Sequence, residues 1–194
     1  MKLSKFDIGA EIISILTKGM YQDPRDSLRE YIQNAVDANS KNISVKIRQN
    51  AIVVDDDGFG MNHATLRKAL RVGVSDKKPG KDVGFMGIGI YSAYHLCNSL
   101  TIYSKSDQHT PCRLYMDFKG MKDILSEQKD LRLQDKLSGD ELIDLQTLLE
   151  KYITLSEQDE LSNDEFPNVG TRVELNGVEP NFYKELTNFD FVAS

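Results

Sequence analysis

Hydrophobic and polar positions along the chain alternate between two periods, and the switches between them lay out the elements. Phe6, Ile8, Ile12, Ile13, Ile15, Leu16 and Met20 form a helical stripe that predicts a helix over Phe6–Tyr21. Asp23-Pro24 then restarts the chain, with Asp23 as N-cap and Pro24 at the first helical position of a helix running to about Asn39. Asn42–Arg48 alternates with period two, Ala51–Asp55 is a short apolar run, and Gln49-Asn50 between them predicts a tight hairpin. After a turn at Asp56–Gly60, Asn62 caps a helix to about Arg71. Residues 72–86 carry Gly and Lys without a period and read as a mobile loop. Helical character returns over Gly87–Cys97, followed by strands at Leu100–Ser104 and Arg113–Phe118.

Further on, Ser138 and Glu141 make a capping box for an amphipathic helix striped by Leu142, Ile143, Leu145, Leu148, Leu149 and Ile153. A strand at Gly170–Leu175 and a short helix at Phe182–Ala193 close the chain. Hairpin-like neighbours outnumber regular βα alternation. The expected fold is α+β: a two-layer α/β sandwich, with helices on one face of a mixed, mostly antiparallel sheet.

Composition narrows the function classes. The 194 residues allow one domain with a full core. No run of about 18 apolar residues occurs, which gives no membrane span, and the start MKLSKFDIGAEI lacks the apolar region of a signal peptide. Cys97 and Cys112 form no CxxC pair and the three histidines make no cluster, which disfavours a metal site or disulfide scaffold and leaves a reducing cytoplasm as the expected location. Charge is uneven. Residues 1–118 hold 16 Lys and Arg against 13 Asp and Glu, residues 119–165 hold 6 against 13, and residues 166–194 hold 2 against 4. The acidity belongs to one late segment, and nothing is basic enough for nucleic-acid binding by this domain alone.

Three stretches carry candidate chemistry. In Leu28–Ala38 (LREYIQNAVDA), Glu30, Asn34 and Asp37 share one helix face, opposite an apolar face of Leu28, Ile32, Ala35 and Val36. By itself that face also suits a solvated polar stripe. In Asp55-Asp56-Asp57-Gly58-Phe59-Gly60-Met61, glycines two apart let backbone approach a ligand beside a carboxylate that can accept from an exocyclic amine. A calcium loop fails there because Val53 and Ala64 occupy the first and last ligand positions, while a plain acidic turn stays open. In Gly84-Phe85-Met86-Gly87-Ile88-Gly89, glycines at a helix start expose amides that suit phosphate. GxxxxGK[ST] is absent, and KKPGKDV is no strand to precede a dinucleotide fingerprint. Ser75, Lys77, Lys78 and Lys81 precede this cradle, as a solvated loop or as a lid bringing positive charge to phosphates.

In order, the motifs are ExxxNxxDA, DxGxG, GxxGxG and GT. Together they resemble the ATP-binding domain of the GHKL or Bergerat-fold superfamily, which includes Hsp90 chaperones, type II topoisomerase B subunits, MutL, MORC proteins and sensor histidine kinases. The nearest likeness is to the Hsp90 N-terminal domain, over roughly residues 6–104 and again at 170–175. The resemblance implies that Glu30 orients and deprotonates the attacking water and that Asn34 ligates Mg²⁺. It implies that Asp37 and Ala38 line the pocket, and that Asp56 binds the adenine amine with help from Thr171. Gly58, Gly60 and Met61 would shape the adenine side. Gly84, Gly87, Ile88 and Gly89 would hold phosphates. Apart from the resemblance, the lid reading of the basic loop makes Ser75 and Lys77 the expected direct contacts from that side.

The implied activity is slow hydrolysis of Mg-ATP, coupled to closure of a lid at about 62–86 and to homodimerisation in a full-length protein with a client of unknown kind. The chain departs from Hsp90 in its short basic lid, in Ala69 at a usual Asn position, and in an acidic helical insertion at about 119–165. Its end at FVAS leads us to expect the N-terminal part of a longer protein. Rival readings are a nucleotide-gated interaction module with negligible hydrolysis, a DNA-linked MORC- or MutL-like ATPase, and a histidine kinase. The kinase reading lacks a helical segment with a phospho-accepting histidine.

Overall fold

The computed structural model describes residues 8–21, 23–72, 88–157 and 169–187. A six-stranded sheet in the order β1-β2-β6-β3-β4-β5 organises them, from β1 (Ile43–Arg48), β2 (Ala51–Asp56), β3 (Ser99–Lys105), β4 (Cys112–Asp117), β5 (Ile153–Glu157) and β6 (Gly170–Asn176). Every neighbouring pair among these strands is antiparallel. The helices are α1 (Ile12–Met20), α2 (Pro24–Asp37), α3 (His63–Ala69), α4 (Phe118–Leu133), α5 (Leu145–Tyr152) and α6 (Pro180–Thr187). The α+β sandwich is as expected.

Local chemistry explains the early elements. Asp23 accepts from the Arg25 amide at 2.8 Å and Pro24 opens α2, which supplies both the cap and the fixed φ of a helix start. Arg48 pairs with Ala51, so Gln49-Asn50 is a two-residue hairpin turn. The Asn62 side chain caps α3 through the Thr65 amide at 2.9 Å. On β2, Ile52, Val54 and Asp56 are buried and the alternate residues are not, the period of a half-buried strand.

Four expectations change. First, α1 starts at Ile12 because Ile8 and Gly9 run along residues 143–145 and a turn at Ala10-Glu11 follows. Gly9 bridges Asp144, Leu145 N–H donates to the Ile8 carbonyl at 2.8 Å, and Ala10 N–H donates to the Ile143 carbonyl at 3.3 Å. Second, the buried stripe of α2 is Pro24, Ser27, Tyr31 and Ala35, and Val36 is 56 % exposed. Polar groups on that stripe bond inward: Ser27 Oγ donates to the Ser92 carbonyl at 2.8 Å. Third, Gly89–His95 is a 3₁₀ helix without a side-chain cap, and burial of Tyr91 to Tyr94 sets its path. Tyr91 Oη donates to the Leu70 carbonyl at 2.8 Å, tying the segment to the end of α3.

The fourth change concerns the acidic segment. Its first stretch is the long α4. The Ser138–Glu141 capping box closes only a 3₁₀ turn, and Leu142 leaves it extended. Asp144 caps a second start through the Thr147 amide at 2.8 Å, and α5 stops where β-branched Ile153 and Thr154 join the open edge of β4. Leu148, Met121 and Phe118 are fully buried with the sheet residues Leu100, Leu114 and Met116. The segment therefore supplies an edge strand and part of the core.

Candidate functional site

Three adjacent strands deliver one row of polar side chains to the buried face. Asp56 of β2 pairs with Thr171 of β6, and Thr171 pairs with Ser104 of β3. All three are buried, Asp56 at 8 % exposure. Ser104 Oγ accepts from the Met61 amide at 2.7 Å, donates to the Gly170 carbonyl at 3.1 Å, and lies 2.9 Å from Thr171 Oγ1. Ser104 thus joins the DxGxG turn to the GT strand. Two glycines permit the approach. Gly60 has φ +62° and its missing Cβ would meet the Lys105 carbonyl; Gly170 has φ +139° and its missing Cβ would meet the Asp56 carbonyl.

The consecutive carboxylates have three surroundings. Asp55 faces the other side of β2, where Arg172 Nε donates to it at 2.5 Å and Lys46 Nζ lies 3.6 Å away. Asp57 clamps the preceding loop, accepting from the Lys41 and Asn42 amides at 2.7 and 2.8 Å and from Asn42 Nδ2 at 2.8 Å. These bonds hold its carboxyl below the usual range, the Asn42 amide foremost. Asp56 turns inward, and its Oδ1 accepts from Ser40 Oγ at 2.9 Å and from Gly58 N–H at 2.8 Å. Burial pushes the Asp56 carboxyl up, those two bonds pull it down, and Asp57 and Asp55 push it up further.

The helix α2 joins this cluster to a second. At its C-terminus, Ala38 carbonyl accepts from Phe59 N–H at 3.0 Å, and a Cβ at Gly58 would lie 2.6 Å from Ala38 Cβ. Asp37 is half-buried beside it, and Asn34 stands exposed one turn back. One turn further back, half-buried Glu30 lies against the start of the 3₁₀ helix, where a Cβ at Gly89 would meet Glu30 Oε2 at 2.5 Å. The Tyr21 side chain faces Glu30; burial and then that carboxylate raise its pKa. Ile88 is buried immediately before Gly89.

Of the residues singled out in the sequence, Asp56, Gly58, Gly60, Met61, Thr171 and Ala38 come together at the C-terminal end of α2, and Glu30, Ile88 and Gly89 beside its middle. Asn34 and Asp37 lie between on the same helix. Ser75, Lys77, Gly84 and Gly87 lie outside the described residues. Sequence reasoning missed Ser40, Ser104 and Tyr21. For Ser104 the available signal was register, since it stands directly opposite Thr171, one residue before the end of β3.

Among the described residues no group of three His, Cys, Asp or Glu could hold a metal ion, and no helix is long and apolar enough to cross a membrane. Asn34 brings an amide oxygen, a hard donor, to the exposed side of α2 near Glu30. A single such donor suits Mg²⁺, which keeps most of its waters and is otherwise held by substrate phosphates.

Comparison with known proteins gives the setting. The profile described as "Histidine kinase-, DNA gyrase B-, and HSP90-like ATPase" matches residues 21–140. The chain is 30 % identical over 100 residues to a putative type II restriction enzyme HgiDII of Herpetosiphon aurantiacus, covering 47 % of this chain and 16 % of that protein. It is 24 % identical over 148 residues to the chaperone protein HtpG of Treponema denticola, 59 % of this chain and 23 % of that one. It is 28 % identical over 134 residues to the HtpG of Bacteroides thetaiotaomicron, 54 % of this chain and 20 % of that one. The chain spans less than a quarter of each of these relatives.

Proposed function

The chain belongs to the histidine kinase-, DNA gyrase B- and HSP90-like ATPase family, and from that premise we propose that it binds Mg-ATP along α2 and hydrolyses it slowly. Glu30 and Ala38 are eight positions apart, about 12 Å along the helix axis at 1.5 Å per residue, so the two clusters can serve opposite ends of one nucleotide. The Asp56 carboxylate accepts the exocyclic amine of adenine, with the Thr171 hydroxyl beside it. Ala38, Asp37, Gly58, Gly60 and Met61 border the base and sugar. Backbone amides at Gly84, Gly87, Ile88 and Gly89, with Ser75 and Lys77, hold the phosphates.

One observation carries hydrolysis: the Glu30 carboxylate lies against Gly89, at the border of the glycine box. A base there can aim water at the terminal phosphate and take its proton, and phosphoryl transfer needs little beyond such placement and charge stabilisation. Asn34 would hold Mg²⁺ together with the phosphates, and the ion would supply neutralisation of the developing charge. The test is calorimetric titration with Mg-ATP, followed by single-turnover phosphate release. Saturable binding with slow release that depends on Glu30 supports the reading, and absence of binding ends it. Binding with no release leaves a nucleotide-gated interaction module instead.

We propose that this chain is the N-terminal part of a longer protein, in which nucleotide closes the lid at about 62–86 and drives N-terminal homodimerisation, as the resemblance to Hsp90 implies. The HgiDII similarity favours a second setting, an ATPase module in a DNA-processing protein. DNA-stimulated hydrolysis by the longer protein separates that setting from a chaperone one.

A further inference from the structure

We propose that Ser40 is a positioning residue for the nucleobase: with the Gly58 amide it holds one oxygen of Asp56 so that the other faces the base as an ionised acceptor, and so it sets the preference for adenine. This rests on Asp56 as the adenine contact. The placement begins in the sequence. Asn39 takes a left-handed φ of +59° just past α2. Asn39 N–H donates to the Val36 carbonyl at 2.9 Å and Ser40 N–H to the Ala35 carbonyl at 3.2 Å. These are the paired bonds of a Schellman stop, which folds the chain back over the helix end. That return brings Ser40 Oγ to Asp56 Oδ1 at 2.9 Å. The contact also requires glycine at position 58, where a Cβ would lie 2.6 Å from Ser40 Oγ.

Both hydrogen bonds to Asp56 among the described residues fall on Oδ1, which leaves Oδ2 to a ligand. An ionised carboxylate only accepts and suits the 6-amino group of adenine. A protonated carboxyl donates and suits the 6-oxo group of hypoxanthine. Burial and the neighbouring carboxylates Asp55 and Asp57 favour the protonated form, and Ser40 and Gly58 oppose them. The elements packed against Asp56 present Ser40 from the end of α2 and Thr171 from β6, both uncharged. Asp55 is compensated by Arg172 and Lys46, and Asp57 by the Lys41 and Asn42 amides. The Ser40 hydroxyl is thus a contribution to the ionised state that substitution can remove.

The experiment titrates wild type, Ser40→Ala and Ser40→Thr with ATP and with ITP between about pH 5 and 8. The expected result for Ser40→Ala is about tenfold weaker ATP binding and a loss of ATP-over-ITP preference that sets in at higher pH than in wild type. Ser40→Thr, which keeps a hydroxyl, restores both. Wild-type affinity and pH profile in Ser40→Ala overturn the proposal. Equal weakening of ATP and ITP with an unmoved pH profile also overturns it, because that is the mark of a structural role. Asp56→Asn, run in parallel, tests the underlying reading: wild-type ATP affinity in that variant removes Asp56 from the base site and Ser40 with it. Loss of ATP in Asp56→Asn but not in Ser40→Ala defeats the Ser40 proposal alone.

Discussion

Glu30 and Gly89 touch so closely that a methyl group at position 89 would meet Glu30 Oε2 at 2.5 Å. The atom in the way is the tip of a flexible side chain, so alanine at 89 displaces the carboxylate and leaves the fold. We expect Gly89→Ala to keep ATP binding within a few-fold and to slow single-turnover phosphate release by about 10- to 100-fold, the effect of a misplaced group. Unchanged release would show that the position of Glu30 does not limit the reaction.

Glu30→Ala should retain ATP binding while turnover falls about 10²–10⁴-fold, the usual contribution of a general base. Tyr21→Phe removes the hydroxyl that faces Glu30 and should give a smaller loss in the same direction. A Glu30→Ala protein that hydrolyses at the wild-type rate would remove the base assignment.

Asp56→Asn should weaken ATP binding by about 1–3 kcal/mol, from loss of a charge-assisted hydrogen bond. The same change should stabilise the protein without nucleotide at neutral pH. Burial raises the folded-state pKa of Asp56, so between its unfolded and folded values the folded state binds more protons. Its contribution to stability is then greatest below the unfolded value and is lost as pH rises through the folded one. We expect Tm of Asp56→Asn about 2–4 °C above wild type at pH 7, the shift that about 1 kcal/mol produces in a chain of this size. The gap should close as pH falls through that window. A gap that widens on acidification would mean that Asp56 is not held in a desolvated state.

Leu148→Ala should destabilise the whole domain by about 2–5 kcal/mol, the cost of a cavity at a fully buried leucine. Denaturant unfolding followed by two probes should stay a single transition. Two separate transitions would mean that the acidic segment folds on its own.

Much of this fold is legible in sequence where one local signal decides. Asp23-Pro24 starts α2, Gln49-Asn50 turns the hairpin and Asn62 caps α3, each through its own side chain or φ preference. Legibility fails where a partner decides. Leu142 to Ile153 has a helical stripe, yet the open edge of β4 draws Ile153 into a strand and the Ile8–Ala10 segment lies along residues 143–145. Helix α2 buries Ser27 and Tyr31 and exposes Val36, because its neighbour offers the Ser92 and Ile90 carbonyls to its hydroxyls. Within the candidate site, glycine spacing and the carboxylates mark Asp56 and Glu30. Ser40 and Ser104 emerge only when the helix end and the strand register bring hydroxyls from distant positions onto the same few atoms.

The alternating directions of Asp55, Asp56 and Asp57 carry a consequence for how this chain can vary. Deleting one residue between Ala51 and Asp55 while the ladder with β6 is kept would bring the Asp56 carboxylate out to Arg172 and turn its neighbour inward, since strand side chains change face at every step. Point replacements at Asp55 or Asp57 leave that phase alone. Length changes in β2 should therefore be far less tolerated than substitutions beside Asp56, even ones that remove a negative charge.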